Sequence, residues 1–173
     1  MRYKKIQRCD KSVSILGVGG LRLPCKVVNG REMVDDERAF PIFEEAVRLG
    51  VNYFDTGWGY CNEDSQRAMG NGLKRYRDQV YLANKLPLYL TKETDDFWRY
   101  LERELVLMDT DHIDFFHFHM VGRAFWEKIL SLRLIEEAEK AKAKGLIDHI
   151  CFSFHDKPDL LKARKVIESL KPQ

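Results

Sequence analysis

Apolar runs alternate with amphipathic segments along most of the chain. Short apolar runs that predict strands occur at VSILGV (13–18), NYFD (52–55), QVYLANK (79–85), HIDFFHFH (112–119) and LIDHICFSF (146–154). Segments whose apolar residues recur every three or four positions predict helices at 35–50, 65–74, 94–108, 124–144 and 157–170. Strands that alternate with helices in this way favour a parallel sheet with right-handed crossovers, and therefore an α/β fold.

The N-terminal half adds two details to this pattern. The segment RYKKIQR (2–8) and the turn-like residues after it predict a hairpin with the first apolar run. Asp35 and Asp36 are suited to cap the first helix, and Gly50 is suited to end it. The buried stripe of this helix is expected to consist of five apolar residues: Phe40, Phe43, Ala46, Val47 and Leu49.

Two α/β architectures compete for this pattern. A dinucleotide-binding Rossmann sheet carries GxGxxG after its first strand, whereas residues 17–22 read GVGGLR and lack the third glycine. Polar or reactive residues instead end four successive strands: Asp55, Lys85, His119 and Ser153. A (β/α)8 barrel collects its active site from successive strand ends on one face. The sequence therefore predicts a single partial barrel domain of the TIM-barrel type over residues 1–173, with an N-terminal hairpin and about five β/α units.

Composition and charge exclude several classes of protein. The chain has 173 residues, a formal net charge of +2 and 45% hydrophobic residues, which favours one folded domain and gives no electrostatic signature of nucleic-acid or membrane binding. No apolar run approaches the ~20 residues that span a bilayer. The four cysteines are far apart and form no CxxC motif, so they predict neither a disulfide framework nor a zinc site. We expect a cytoplasmic protein with no nucleic-acid or membrane partner.

Convergence of the strand ends would bring Asp55, Tyr60, Lys85 and His119 into one pocket. A free tyrosine has a pKa of about 10 and is a poor proton donor at neutral pH. A nearby lysine ammonium favours the phenolate and lowers that pKa, and an aspartate can hold the lysine in place. A histidine beside the tyrosine can orient a carbonyl oxygen. The set suits protonation of a carbonyl oxygen while hydride reaches its carbon, which implies a nicotinamide cofactor because no side chain supplies hydride.

Three segments, GVNYFDTGWGY, VYLANK and DHIDFFHFHM, resemble the signature segments of the aldo-keto reductase superfamily. The resemblance implies an oxidoreductase that uses NADPH, or alternatively NADH, to reduce a small aldehyde or ketone to an alcohol. It assigns catalysis to Asp55, Tyr60, Lys85 and His119. ICFSFHDKPD and YRDQVYLANKLP are also similar to a branch whose full-length members often carry a C-terminal iron–sulfur segment.

The same resemblance implies part of a cofactor site. Gly20 and Leu21 would lie along the nicotinamide and ribose, Ser153 would hold the carboxamide, and Asp55 would border the cofactor. Many members follow this serine with asparagine, whereas Phe154 stands here. A full barrel of eight units has roughly 250 residues, so the remaining cofactor contacts and any iron–sulfur cysteines are expected beyond the five units of this chain.

The histidines allow a second interpretation. His117 and His119 lie on the same face of the predicted strand, and His119 is nearer its C-terminal end. We therefore assign His119 to catalysis and His117 to a hydrogen-bonded core position. A metal site built on the two is disfavoured because no third ligand has suitable spacing, so no metal is predicted. His112, His149 and His155 are interpreted as structural.

Two other functions stay open on the sequence alone. One is a catalytically inactive, truncated half-barrel that serves only as an assembly or folding unit. The other is a barrel lyase with Lys85 as a Schiff-base nucleophile, which is disfavoured because Asp55 and Tyr60 suit proton donation better. An open half-barrel exposes two parallel strand edges, and self-association through them is expected.

Overall fold

The computed structural model describes residues 1–6 and 9–154. Its strands are β1 (Tyr3–Lys5), β2 (Ser12–Ser14), β3 (Val18–Gly19), β4 (Cys25–Val28), β5 (Arg31–Val34), β6 (Tyr53–Asp55), β7 (Tyr81–Leu86), β8 (Ile113–Phe118) and β9 (Ile147–Phe152). Its α-helices are α1 (Asp36–Arg48), α2 (Ser65–Leu73), α3 (Asp96–Met108), α4 (Arg123–Ser131) and α5 (Leu134–Ala143). Two 3-10 helices cover Gly20–Arg22 and Lys74–Gln79. The helix predicted at 157–170 lies outside the described residues.

A five-stranded parallel sheet organises the molecule, in the order β3-β6-β7-β8-β9. Gly19 pairs with Asp55, Asp55 with Ala83, and Lys85 with His117. Each strand of this sheet is connected to the next through at least one α-helix, and β3 to β6 also through the β4–β5 hairpin, so all five strands run in the same direction. The predicted α/β class is confirmed, and the C-terminal ends of the strands meet at one edge.

Two clusters of buried apolar side chains lie between the sheet and its helices. The first joins α1 and α2 to the early strands through residues that include Phe43, Phe54 and Met69. The second joins α3 and α5 to β7 and β8 through residues that include Phe97 and Phe116. The strands VYLA and DFFHF are buried almost throughout, as expected for parallel strands covered by helices.

The first apolar run was predicted as one strand, and this is wrong. Ser12–Ser14 pairs with Tyr3–Lys5 in the predicted N-terminal hairpin, whereas Val18–Gly19 forms the first strand of the parallel sheet. The run is divided because the Ser14 hydroxyl donates to the Leu16 carbonyl at 2.6 Å and turns the chain. The apolar residues at the turn, Ile15 and Leu16, are consequently exposed to solvent.

A second hairpin, β4–β5, is absent from the sequence prediction. It turns at Asn29-Gly30, where both residues have positive φ, 52° and 78°. Asn-Gly is the preferred pair for a two-residue hairpin turn with this backbone, so a local signal was present. The hairpin precedes α1, and its last residue, Val34, is buried.

The predicted helices that fall within the described residues are present, with two differences. Leu49 follows the end of α1 and is 54% exposed, so it does not belong to the buried stripe. The single helix predicted at 124–144 is two helices, because Arg133 has a φ of 54° and breaks the hydrogen-bond ladder. The carbonyl of Leu132 instead accepts a bond from the Thr94 hydroxyl at 3.0 Å.

None of the helices described between residues 9 and 154 is long and apolar enough to cross a membrane.

The tightest helix contact gives a test of the fold. A Cβ built on Gly70 of α2 would lie 2.5 Å from the Cα of Met108 at the end of α3. Gly70→Ala is therefore expected to lower the free energy of unfolding by about 1–3 kcal/mol, because the two backbones must separate. Urea denaturation would measure the change, with the exposed neighbour Asn71→Ala as the control. Equal effects of the two substitutions would contradict this packing.

Candidate active site

An ion pair between a buried lysine and a partly exposed aspartate joins the ends of β6 and β7. The Lys85 ammonium donates to both carboxylate oxygens of Asp55, to one of them at 2.7 Å, and also to the Thr56 carbonyl. Lys85 is only 5% exposed, so its charge requires these oxygens in place of water. Burial lowers the pKa of Lys85, while Asp55 and the more distant Glu104 oppose that change.

Tyr60 lies over this lysine on the loop between β6 and α2. The Lys85 Nζ is 4.9 Å from the centroid of the Tyr60 ring, within the range of a cation–π contact. A Cβ on Gly57 would lie 3.3 Å from Tyr60 Cζ and 3.5 Å from Lys85 Cδ. Glycine at position 57 therefore leaves the space in which the two side chains meet.

The pKa of Tyr60 runs opposite to the sequence expectation. Burial raises the pKa of its hydroxyl, and the charges of Asp55 and Tyr89 raise it further. The net lowering expected from Lys85 is therefore not found, because burial outweighs the attraction of the ammonium that lies 4.9 Å from the ring centroid. Tyr60 therefore holds its proton at neutral pH.

His119 completes the predicted group directly after β8. It is buried, and its backbone N–H donates to the Leu86 carbonyl at 3.2 Å. Its ring meets the Tyr60 ring edge-on, with the centroids 6.0 Å apart. The structure therefore brings Asp55, Tyr60, Lys85 and His119 together, in the arrangement of strand ends that the sequence predicts.

Tyr89 is a neighbour of this group that the sequence analysis missed. Its ring lies edge-on to His119, with the centroids 6.4 Å apart, and it follows Lys85 by four residues on the β7–α3 loop. Burial, together with the nearby Glu63 and Tyr100, raises its pKa. An aromatic residue shortly after a strand-end lysine was the available signal.

His117 occupies the hydrogen-bonded position predicted for it. Its Nε2 lies 3.2 Å from the Tyr53 hydroxyl. The residue also lines an open, mostly apolar pocket of about 660 Å³ between the parallel sheet and the N-terminal hairpin. Burial, with a contribution from the Lys85 charge, lowers its pKa to about 4. His117 is therefore neutral at pH 7 and suits a structural role.

Gly20 and Leu21 lie at the C-terminal end of β3, beside the predicted group. A Cβ on Gly20 would collide with the Ser65 Oγ of α2 and fall 3.2 Å from the Met69 Cε of the same helix, and the Gly20 carbonyl accepts a bond from the Ser65 hydroxyl at 2.8 Å. Packing against α2 therefore accounts for the glycine. Leu21 is 53% exposed at this edge and is accessible to a ligand.

Ser153 follows β9 on the other side of the group. Its hydroxyl accepts the backbone N–H of Met120 at 2.8 Å, and its own N–H donates to the Phe118 carbonyl at 3.0 Å. It thus ties the end of β9 to the chain that follows His119. Its hydroxyl proton is not used by the Met120 bond, so the cofactor contact assigned to it stays a prediction.

Glu104 and Trp58 form a buried pair that the sequence analysis did not identify. The indole Nε1–H of Trp58 donates to Glu104 Oε1 at 2.6 Å, and Glu104 is 0% exposed. Burial raises the pKa of Glu104 well above its ordinary value, although the Trp58 bond and the Lys85 charge oppose the shift. The spacing of α3 predicts a buried position for its apolar residues but not for an acid.

Within the described residues, one group could offer three ligands to a metal: His112, Asp114 and Asp148. It lies at the N-terminal ends of β8 and β9, away from the predicted group at the C-terminal ends. Its acids are already paired, Asp114 with Arg77 at 2.9 Å and Asp148 with Lys11 at 3.1 Å. The cluster is therefore an ion-pair network at the N-terminal ends of β8 and β9.

The four cysteines are free thiols. Cys61, next to Tyr60, lies 3.4 Å from the Gly20 carbonyl and interacts with Cys25. Burial, and then the neighbouring Cys61 thiol, raise the pKa of Cys25 to about 11. Two cysteines that are distant in sequence thus meet beside the loop that carries Tyr60.

Comparison with known proteins identifies the family of this chain. Residues 16–170 match the Aldo/keto reductase family. The chain belongs to this family, and the predicted partial barrel of the TIM-barrel type is confirmed.

Three relatives illustrate the similarity. An uncharacterized oxidoreductase of Bacillus subtilis, YqkF, is 25% identical over 94% of this chain and 51% of its own length. L-galactose dehydrogenase of Arabidopsis thaliana is 31% identical over 77% of this chain and 42% of its own length. An aldo-keto reductase of Klebsiella pneumoniae, solved in complex with NADPH, has a TM-score of 0.71 and 22% identity, over 90% of this chain and 51% of its own. This chain thus spans about half the length of these relatives.

The buried acid gives a test of the electrostatics of the site. At a given pH, the Glu104→Gln variant is expected to have a higher free energy of unfolding than the unmodified protein. This difference should grow as the pH rises above about 4.3, the ordinary pKa of glutamate. The folded-state pKa of Glu104 is raised, so the unmodified protein loses stability as the pH rises from that value through the folded pKa. Glutamine has no proton to lose.

Urea denaturation at several pH values between about 4.5 and 8 would measure this difference. Glu102→Gln, an exposed substitution on the same helix, is the matched control and should show no such trend. A stability difference between the unmodified protein and the Glu104→Gln variant that does not change with pH would contradict the assignment.

Proposed function

We propose that this protein reduces aldehydes or ketones to alcohols with a nicotinamide cofactor, and that Tyr60 donates the proton. The observation that carries the proposal is the stacking of the Tyr60 ring over the Lys85 ammonium, 4.9 Å from its centroid, with His119 at its edge. Membership of the aldo/keto reductase family supports the reaction class.

In this mechanism each residue has a separate task. Tyr60 keeps its proton until negative charge develops on a carbonyl oxygen, because burial raises its pKa. Proton transfer then leaves a phenolate, which the Lys85 ammonium beneath the ring stabilises. Asp55 holds that ammonium in place through their ion pair. His119, at the edge of the Tyr60 ring, is positioned to orient the carbonyl oxygen.

The cofactor proposal is NADPH, with NADH as the alternative. The bound nicotinamide would supply hydride to the carbonyl carbon. The exposed Leu21 and the Ser153 hydroxyl, whose proton the Met120 bond does not use, flank the catalytic group, which fits a planar ring with a carboxamide. The Klebsiella relative of the same fold, solved with NADPH, supports this choice.

Schiff-base chemistry at Lys85 is less well supported. Burial lowers the pKa of Lys85, as a nucleophilic amine requires. Its three donor positions, however, are occupied by Asp55 and the Thr56 carbonyl, which stabilise the protonated form. Borohydride treatment in the presence of an aldehyde would trap a covalent adduct on Lys85 if this alternative held.

The proposal concerns the whole protein, and the inactive half-barrel stays the alternative. In the part of the chain that the structure describes, β3 and β9 each have one strand partner, and their outer edges are free. Self-association through these edges is therefore part of the proposal, and light scattering would measure it. A cytoplasmic location, consistent with the free thiols, is likewise proposed.

Removal of one hydroxyl tests the mechanism. Tyr60→Phe is expected to bind NADPH as the unmodified protein does, but to reduce a simple aromatic aldehyde at least about 100-fold more slowly, because the proton donor is lost. Fluorescence titration with NADPH would measure binding, and cofactor absorbance would measure turnover. Tyr76→Phe removes a tyrosine hydroxyl that bonds Glu44 away from the site and is the control.

Three outcomes separate the candidate functions. Full turnover by Tyr60→Phe would exclude Tyr60 as the proton donor. Binding of NADPH with turnover only in the unmodified protein would support the reductase. Failure of the unmodified chain to bind millimolar NADPH would favour the assembly unit.

A further inference from the structure

Glu104 is an acid at a buried position, where the burial of an apolar side chain would cost less free energy. It is fully buried, and its Oε2 has no hydrogen-bond partner among the described residues. No ion pair involves Glu104 in the described part of the chain, so its burial is offset by one hydrogen bond from Trp58. Replacement of both members of a buried polar pair by apolar residues of similar size is often neutral or stabilising, so stability alone does not account for the pair.

The partner of Glu104 is held by one face of α3. Trp58 bonds Glu104 at 2.6 Å, packs edge-on to Tyr100 with the ring centroids 5.2 Å apart, and lies under the Arg103 guanidinium at 5.6 Å. These three residues of α3 have the i, i+3, i+4 spacing of one helix face. One face of α3 therefore holds the indole through contacts from three residues.

Trp58 belongs to the loop that delivers Tyr60, and this loop has an unfavourable backbone. Gly59, Cys61, Asn62 and Glu63 all have positive φ, between 48° and 76°. Left-handed conformations of residues other than glycine cost free energy and persist only where contacts impose them. The position of Tyr60 therefore depends on contacts that hold the loop from outside.

The Trp58 bond is placed to do this. Thr56 is fixed by Lys85, and Tyr60 lies four residues later. Among the hydrogen bonds that the structure describes for residues 57–60, the bond from Trp58 to Glu104 is the one formed by a side chain. Trp58, which forms this bond, lies midway in the sequence between Thr56, which is fixed by Lys85, and Tyr60.

We infer that Glu104 is a positioning residue, which holds Trp58 so that the 57–60 segment keeps the Tyr60 ring over the Lys85 ammonium. Its contribution to turnover rests on the proposed function. Its contribution to the geometry of Tyr60 does not, and can be measured without any reaction.

The test uses three variants of the pair. Glu104→Gln keeps an oxygen that accepts the indole N–H, Glu104→Leu removes it, and Trp58→Phe combined with Glu104→Leu removes both partners. A matched control exists on the same helix, because Trp98 donates to Glu137 at 2.8 Å away from the Tyr60 loop. Glu137→Leu therefore removes an equivalent bond with no link to Tyr60.

The first measurement is NMR of the protein labelled in the tyrosine and tryptophan rings. In Glu104→Leu, we expect the Tyr60 ring signals and the Trp58 indole N–H signal to shift, and in Glu104→Gln to stay near their original positions. Tyr60→Phe and Trp58→Phe assign the signals. Unmoved Tyr60 signals in Glu104→Leu, or equal shifts in Glu137→Leu, would overturn the inference.

The second measurement separates positioning from stability. Glu104→Leu is expected to lower kcat about 10- to 100-fold, with the NADPH dissociation constant unchanged, because the proton donor is displaced. Removal of both partners leaves no unpaired donor, so the double variant should regain stability to urea but not kcat. Recovery of kcat together with stability would reduce Glu104 to a structural role.

The two proposals can fail separately. If the unmodified protein shows no NADPH-dependent reduction, the proposed function fails, while the Tyr60 signals still decide the role of Glu104. If it is active and Glu104→Leu has full kcat with unmoved Tyr60 signals, the inference fails and the proposed function stands.

Discussion

The structure of the site depends on the burial of one ammonium group. Lys85 lies inside the sheet with almost no solvent contact, so its charge is stable only where Asp55 and the Thr56 carbonyl replace water. Both acceptor groups come from the end of β6. The ion pair therefore ties the C-terminal end of β6 to that of β7. It also fixes the start of the loop that carries Tyr60.

The parts that the sequence could predict are those whose signal is local. Apolar periodicity locates the strands and helices, since burial on a strand or on one helix face recurs at a fixed interval. The strand-end residues Asp55, Lys85 and His119 follow from the same pattern, because parallel strands bring their C-terminal ends to one edge. Tyr60 lies off the strands, and its place in the group was expected because its loop begins at the end of β6.

The parts that the sequence could not predict depend on distant residues. Asp64 accepts the N–H of Val34 at 2.8 Å and pairs with Arg67, which in turn binds Asp36 at 2.8 Å. This network attaches the unpredicted hairpin β4–β5 to the Tyr60 loop and to the start of α1. Nothing in the local sequence of Asp64 distinguishes it from an acid at a helix start, and Glu104 is hidden in the same way by the regular pattern of α3.

Burial is the main cause of the pKa shifts in the site, and it disfavours the charged form of the acids and of the base alike. Burial raises the pKa of Tyr60 and of Glu104 and lowers that of Lys85, because each charged form loses its hydration. A site that only excluded water would thus hold its groups neutral and unreactive. The Asp55–Lys85 pair prevents this by keeping one cation charged at low dielectric, where its attraction for a new negative charge is strong. A proton on Tyr60 that is held tightly at rest can therefore be released as charge develops above Lys85.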